Sequence, residues 1–335
     1  MLYRKYIGID AGTDNTRVYV RGKGIVVDQP SIVAFNNRTH RVVAVGKRAK
    51  EMLARTPSHI TAMRPIVNGV IADFDMAKEM IRTALREHLT WSFLTDAIVA
   101  IPTNLTEVER KSVFDLFKEI GASNVYLLPQ PLAAAFSHRL EVYEPSAHLI
   151  VDMGAGSTDM AVISMGGIVV SRRLKVAGER FNGEIVKGVR DKLHLEIGEP
   201  TAESIKLHVG AAKPADGVRE VTIRGRDAAS GLPREEAVKD SLVRDWIGPS
   251  LRKVIDAMKG LIEITPPELV GDIYKNGCYI CGGGSLLQGI DELIAREVGI
   301  DVHIIDEPMT CVARGSGVVA ESFRDYQAAL EGPAL

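Results

Sequence analysis

The sequence predicts an α/β fold built twice over: two lobes, each with a central mixed sheet flanked by helices, plus two small peripheral subdomains. Three observations predict it. An apolar strand, a glycine-containing turn and a second apolar strand occur at residues 7–20 and again at 150–163, both spelling D-x-G-x-x-x-T. Strand-like and helix-like segments then alternate after each copy, the pattern of a sheet with crossover helices. The 335 residues, 46% hydrophobic and 25% charged, also exceed what one hydrophobic core usually holds.

The elements follow in order. Residues 7–10 form an apolar strand, Gly12 lies in the turn, and Val18 to Val20 return, which reads as a hairpin. Residues 24–35 continue as strand. Apolar residues at helical spacing occupy 76–89, and again Glu107–Ile120 behind the N-cap-like Thr106. The second half repeats the hairpin at 150–163, continues as strand over 168–176 and as helix over 182–193, so a duplication is the economical explanation. Residues 217–234, rich in Gly, Arg and Asp, read as strand and exposed loop; 277–281 read as a strand and 286–297 as a helix. The expected division assigns 1–32, 66–145 and 315–335 to one lobe and 33–65 to its peripheral subdomain. The second lobe takes 146–181 and 246–314, with 182–245 as its peripheral subdomain.

Composition removes several function classes. With 41 basic and 43 acidic residues the formal charge is −2, so a broad nucleic-acid surface is not expected. No run approaches the roughly 18 apolar residues of a membrane span, and MLYRKYIGID enters strand-like sequence too soon for a signal peptide, which points to the cytoplasm. Three cysteines are an odd set for a disulfide framework. Cys278 and Cys281 spell C-x-x-C, but residues three apart on a strand point to opposite faces, so both are expected to be buried and structural.

The repeated turn has the parts a metal-bound polyphosphate needs. Gly12, Gly154 and Gly156 remove side chains where backbone N–H groups must approach phosphate. Thr13, Asn15, Ser157 and Thr158 add short donors. Asp10 and Asp152 end apolar strands at the mouth of a cleft, and magnesium, which keeps several waters, suits two facing carboxylates that hold it through water. One such turn alone reads equally well as a hairpin whose aspartate caps nearby backbone; two copies favour the phosphate reading. Gly282, Gly283, Gly284 and Ser285 follow the strand at 277–281, and a tight turn needs one glycine rather than three, so something flat such as adenine and ribose is expected against them. Neither a G-x-x-x-x-G-K-[ST] loop nor a G-x-G-x-x-G after a first strand is present.

Two D-x-G-x-x-x-T hairpins and a late G-G-G-[ST] resemble the actin, heat-shock chaperone and sugar kinase ATPase superfamily, which has a duplicated actin-like (ribonuclease H-like) fold. Within it RPIVNGVIADF at 64–74, TAESIK at 201–206, TPPELVGDI at 265–273, GGGSLLQGID at 282–291 and DEPMTCVARGSG at 306–317 resemble MreB, the bacterial cell-shape class, with coverage from about residue 6 to about 322. The resemblance implies an ATP- and Mg2+-binding filament protein with weak ATPase activity coupled to polymerisation. It assigns Gly12, Thr13, Asp14 and Asn15 to the first phosphate loop and Gly154, Ala155, Gly156 and Ser157 to the second. Gly178, Glu203, Lys206 and Gly282 to Ser285 would surround the rest of the nucleotide. Asp10, Asp152, Thr158 and Gln130 would be the catalytic set, Asp10 and Asp152 also serving the metal.

Two departures stand out. Relatives usually carry E-E-P-M-A-A-A where this chain has Pro129 to Ala135, so Gln130 replaces a glutamate expected to orient the attacking water, and an amide that positions water but takes no proton implies hydrolysis that is slow or strongly dependent on assembly; Asn182 stands where an aspartate is common. Trp91, Phe93 and Leu94 occupy a short connection where relatives present a hydrophobic loop to the inner membrane. The resemblance further implies a homopolymer of paired protofilaments, placement at the inner face of the cytoplasmic membrane, and contact with the cell-wall elongation machinery. A chaperone-type ATPase would normally add a C-terminal peptide-binding domain, which the short tail after Ser322 does not supply; a sugar-type kinase would need a catalytic aspartate.

Overall fold

The structure is a computed structural model, and it describes residues 4–39, 41–53, 55–86, 88, 95–214 and 217–332. The first half runs β1 (Lys5–Ala11), β2 (Asn15–Val20), β3 (Gly24–Pro30), β4 (Val33–Asn36), β5 (Arg41–Val45), α1 (Lys47–Met52), β6 (Ile60–Met63), β7 (Ile66–Val67), β8 (Val70–Ile71), α2 (Phe74–Leu85), β9 (Thr95–Ile101), α3 (Glu107–Ile120), β10 (Asn124–Pro129) and α4 (Gln130–Ser137). The second runs β11 (His148–Met153), β12 (Thr158–Ser164), β13 (Gly167–Leu174), α5 (Gly178–Leu193), β14 (Leu195–Glu196), α6 (Glu199–Val209), β15 (Glu220–Asp227), β16 (Pro233–Lys239), α7 (Asp240–Glu263), α8 (Pro267–Asn276), β17 (Cys278–Cys281), α9 (Ile290–Val298), β18 (Val302–Ile304) and α10 (Cys311–Glu321).

The duplication is a duplication of topology. One five-stranded sheet has the order β3-β2-β1-β9-β10 and the other β13-β12-β11-β17-β18. In both, three antiparallel strands come first and two parallel strands are added beside the first of them. β9 and β12 are buried along their whole length, so their apolar residues, 97–101 and 160–163, run without a break rather than alternating. Small three-stranded sheets, β5-β4-β6 and β14-β15-β16, form the excursions. Among the described residues no helix is long and apolar enough to cross a membrane.

The two lobes share a core. Ile98 and Leu128 of the first sheet, Leu132 to Phe136 of α4, Ile150 and Ile163 of the second sheet, and Cys311 and Val312 of α10 form one buried cluster. Removing this much apolar surface from water is the main term holding the halves together. The same cluster holds Cys281, whereas Cys278 faces the second lobe's own core with Val189 and Val254, so the two thiols do take opposite faces and all three cysteines are free and buried.

Several boundaries move for physical reasons. The strand expected over 24–35 breaks at Ser31, because Ser31 turns inward to bond the first glycine turn. The helix expected from residue 182 begins at Gly178, and the one expected from 286 begins at Ile290 behind a 3-10 turn over Gly283–Leu286. α2 starts two residues early because the Asp73 carboxylate caps Met76 N at 3.0 Å. α3 has the expected bounds, fixed by a reciprocal capping box between Thr106 and Glu109.

Candidate functional site

The two D-x-G turns are the same object in atomic detail. Gly12 N donates to Asn15 O at 3.0 Å, and Gly154 N donates to Ser157 O at 3.0 Å. Each turn is braced from behind. Ser31 Oγ donates to Gly12 O at 2.7 Å, and Ser31 N to Asp14 O at 2.8 Å. In the second copy the amides of Gly178 and Glu179, at the start of α5, donate to Gly154 O at 3.2 Å and Ala155 O at 2.8 Å. The tip of the β7–β8 hairpin wedges between the turns. Gly69 N donates to Thr13 Oγ1 at 2.9 Å, which leaves the threonine hydroxyl free to donate forward. A Cβ on Gly156 would come within 2.6 Å of that same Oγ1 and 2.8 Å of the Asn68 backbone, so glycine is required for the lobes to meet here.

The turns enclose a cavity of about 500 Å3, lined by Asp10, Gly12, Thr13, Asp14, Asn15, Gln130, Asp152, Gly154, Ala155, Gly156, Ser157, Gly178, Glu203, Lys206, Gly282, Gly283 and Gly284. Two residues expected there do not line it. Thr158 is fully buried and donates to Val176 O at 2.7 Å, and Ser285 donates to Gly282 O at 2.8 Å, so both brace turns from behind. The glycine triplet also has a partly different cause from the one expected. Gly282 has φ +76° and its Cβ would meet Asp152 Oδ1 at 2.5 Å; a Cβ on Gly284 would meet Met153 Cβ at 2.7 Å. The end of β11 therefore demands these two glycines, and only Gly283 fronts open space. Trp91, Phe93 and Leu94 lie outside the described residues.

Burial governs the carboxylates. Desolvation pushes Asp10 up to about 6, with Arg17 opposing, and pushes Asp152 up to about 7, with the charges of Asp10 and Asp159 adding to the rise. The neighbouring Cys281 thiol partly offsets this. Among the described residues no group of three His, Cys, Asp or Glu side chains converges as a metal cage. Two buried carboxylates facing one cavity fit a hard divalent cation that takes its remaining ligands from water and ligand oxygens.

Charged side chains that the motifs did not reveal complete the site. Arg64 reaches Glu179 at 3.3 Å, Glu199 at 3.1 Å and Asp14 at 3.8 Å, and Lys50 reaches Glu203 at 3.5 Å and Asp14 at 3.9 Å. These pairs join α1 and the β6 exit of one half to α5 and α6 of the other, across the cavity mouth. Glu203 and Lys206 accordingly face different partners and not each other, since Lys206 Nζ donates to Gly178 O at 3.2 Å. Arg17 lies on the cavity wall beside Asp10, and Asn182 lines the cavity with its buried Oδ1 unpaired.

The comparisons agree with this geometry. A sequence profile of the MreB/Mbl protein family matches residues 4–328. The chain is 41% identical over 323 residues to the cell shape-determining protein Mbl of Bacillus subtilis (strain 168), covering 96% of this chain and 97% of that one. It is 39% identical over 327 residues to the cell shape-determining protein MreB of Escherichia coli (strain K12), covering 96% and 94%. Among solved structures, MreB5 of Spiroplasma citri bound to AMPPNP superposes with a TM-score of 0.93 at 34% identity, covering 98% of this chain and 99% of that chain. A MamK double helical filament, at 19% identity and a TM-score of 0.81 over 95% and 99% of the two chains, shares the fold.

Proposed function

The chain belongs to the MreB/Mbl protein family, and on that premise we propose that it is an actin-like filament protein that binds ATP with magnesium between its lobes, hydrolyses it slowly and maintains cell shape. The supporting observation is the pair of matching turns, each with a buried aspartate near the end of a central strand and each open to one cavity. Nucleotide binding is a property of the structural relatives, which are bound to AMPPNP and ADP. In this chain the glycine-turn amides and the hydroxyls of Thr13 and Ser157 would take the phosphates, Asp10 and Asp152 the cation through water, and Lys206, Glu203 and Gly283 the nucleoside end. Bound magnesium supplies neutralisation of the phosphate charge.

Gln130 opens α4 at the cavity and is buried to 9% exposure. Its amide can orient a water but cannot accept the proton, which supports slow turnover. Self-association into a homopolymer of paired protofilaments, a place at the inner face of the cytoplasmic membrane through Trp91, Phe93 and Leu94, and contact with the cell-wall elongation machinery complete the reading. The test is phosphate release without any acceptor, run beside light scattering and negative-stain imaging with ATP. Phosphate released together with filaments supports it; a protein that stays unassembled, releases no phosphate and transfers the phosphoryl group to an added acceptor is a small-molecule kinase instead.

A further inference from the structure

We infer that Arg17 is a polyphosphate anchor, a fixed cation in the cavity wall that holds the diphosphate part of the nucleotide even without metal. The inference rests on the nucleotide reading above and goes beyond it by naming a residue that lies outside both glycine turns. In the β1–β2–β3 meander Arg17 is directly opposite Asp10 on one side and Asp28 on the other. Directly opposed residues share a face of the sheet, so the three side chains form one row. That face is the cavity side, because Asp10 and Arg17 both line the cavity.

The guanidinium is built in but incompletely matched. Arg17 is 7% exposed, with Nη1 3.8 Å from Asp10 Oδ2, beyond hydrogen-bonding reach, and Nε 3.1 Å from Asp28 Oδ1 without the alignment of a hydrogen bond. A buried charge held this loosely costs free energy unless a further anion completes it. Asp28 is half-exposed and Asp10 is the carboxylate placed to serve a cation, so neither satisfies the five-donor fork. Phosphate oxygens match that fork in charge and geometry.

The other lining cations have work elsewhere. Arg64 closes the mouth on Glu179 and Glu199, Lys206 donates to Gly178 O, and Arg219 bonds Gln288 and the His208 carbonyl. Among the described lining residues only Arg17 is paired with Asp10, the carboxylate that on the nucleotide reading would serve the metal.

The experiment is a binding titration of ADP and of adenosine, each with Mg2+ and with EDTA, on wild type, Arg17→Met, Arg17→Gln and Arg17→Lys. Wild type should bind ADP more tightly than adenosine in EDTA. Arg17→Met and Arg17→Gln should lose about ten- to a hundredfold of that ADP affinity, the range for a charge-assisted hydrogen bond, with adenosine unchanged within about twofold, and Arg17→Lys should keep most of it. A merely structural role would lower ADP and adenosine together, and that result, or ADP affinity in EDTA equal to wild type, overturns the inference alone. Should the neutral variants fail to fold, the wild type decides, because an ADP to adenosine affinity ratio near one in EDTA overturns it. Wild type that binds no nucleotide with Mg2+ sinks the nucleotide reading itself.

Discussion

Replacing Asp159 with alanine removes the carboxylate on which the two lobes meet. Asp159 follows the second glycine turn, is 1% exposed, and accepts from three donors: Thr103 N at 2.9 Å, Thr103 Oγ1 at 2.8 Å and Ser157 Oγ at 3.0 Å. Arg173 Nε stands 3.8 Å away, and its Nη2 also bonds the Asn68 carbonyl in the hairpin tip. Thr103 and Asn68 belong to the first lobe, Ser157 and Arg173 to the second. Hydrogen bonds to a charged group are worth ~1.5–3 kcal/mol each, and breaking a buried pair from one side costs ~3–5 kcal/mol. These figures do not add, and burial pushes the Asp159 carboxyl upward, which shows that its own desolvation offsets part of the gain. We expect a loss of ~2–4 kcal/mol for Asp159→Ala, and ~1 kcal/mol for Asp159→Asn, which keeps an acceptor for the Thr103 amide. The assay is urea unfolding without nucleotide, so that ligand linkage does not contribute, in a double-mutant cycle with Thr103→Ala, together with hydrogen exchange at the Thr103 amide. A change below ~0.5 kcal/mol, or unaltered protection of that amide, would refute the argument.

Other consequences follow from the same geometry. Gln130→Glu supplies a proton acceptor at the head of α4 and should raise phosphate release about tenfold or more, read as single-turnover kinetics on assembled protein. Arg64→Ala breaks the pairs across the cavity mouth; partly exposed pairs are worth under ~1 kcal/mol each, so labelled ADP should dissociate about threefold to tenfold faster. Burial raises Asp10 to about 6 and Asp152 to about 7, while cation binding favours both ionised, so binding should release protons. Affinity for Mg-nucleotide should therefore increase from pH 6 to pH 8, and calorimetry at pH 6.5 in two buffers of different ionisation enthalpy should show proton release; uptake would contradict the assignment. Trp91→Ser with Phe93→Ser should reduce co-sedimentation of ATP-loaded protein with anionic liposomes, since burial of large apolar side chains at roughly 1.5–3 kcal/mol each is multiplied along a filament.

What the sequence made legible and what it hid can be traced to individual positions. The glycines and aspartates of the turns are readable because backbone conformation and strand ends depend on near neighbours, and helical periodicity located α3 to the residue. Partners distant in the chain are not readable in this way. Nothing near Arg64 signals Glu179 and Glu199, and nothing near Gly282 and Gly284 signals that Met153 and Asp152 leave no room for a side chain. A triplet of glycines invites a ligand as its cause, whereas here two of the three are dictated by the chain's own packing.

The repeat itself contains a clue that matching its common letters passes over. Aligning the turns on Asp10 and Asp152 pairs Gly12 with Gly154, Thr16 with Thr158, and Arg17 with Asp159. The shared threonines do the same job, since Thr16 Oγ1 lies 2.8 Å from Ser31 Oγ and Thr158 Oγ1 donates to Val176 O, each tying the turn to the exit of the third strand. The next position carries opposite charges, each directly across the hairpin from its aspartate. In the first copy a cation beside Asp10 reduces the cost of ionising it; in the second an anion beside Asp152 increases that cost. A symmetric pair of turns would hold the two carboxylates at equal cost. Here the neighbouring charge eases ionisation of Asp10 and opposes that of Asp152, and the anion that opposes it also fastens the second lobe to Thr103 of the first. Exchanging the charges with Arg17→Asp and Asp159→Arg should therefore not restore either variant's loss, because only the second copy faces Thr103; recovery of wild-type stability in the double exchange would show that the two positions are interchangeable after all.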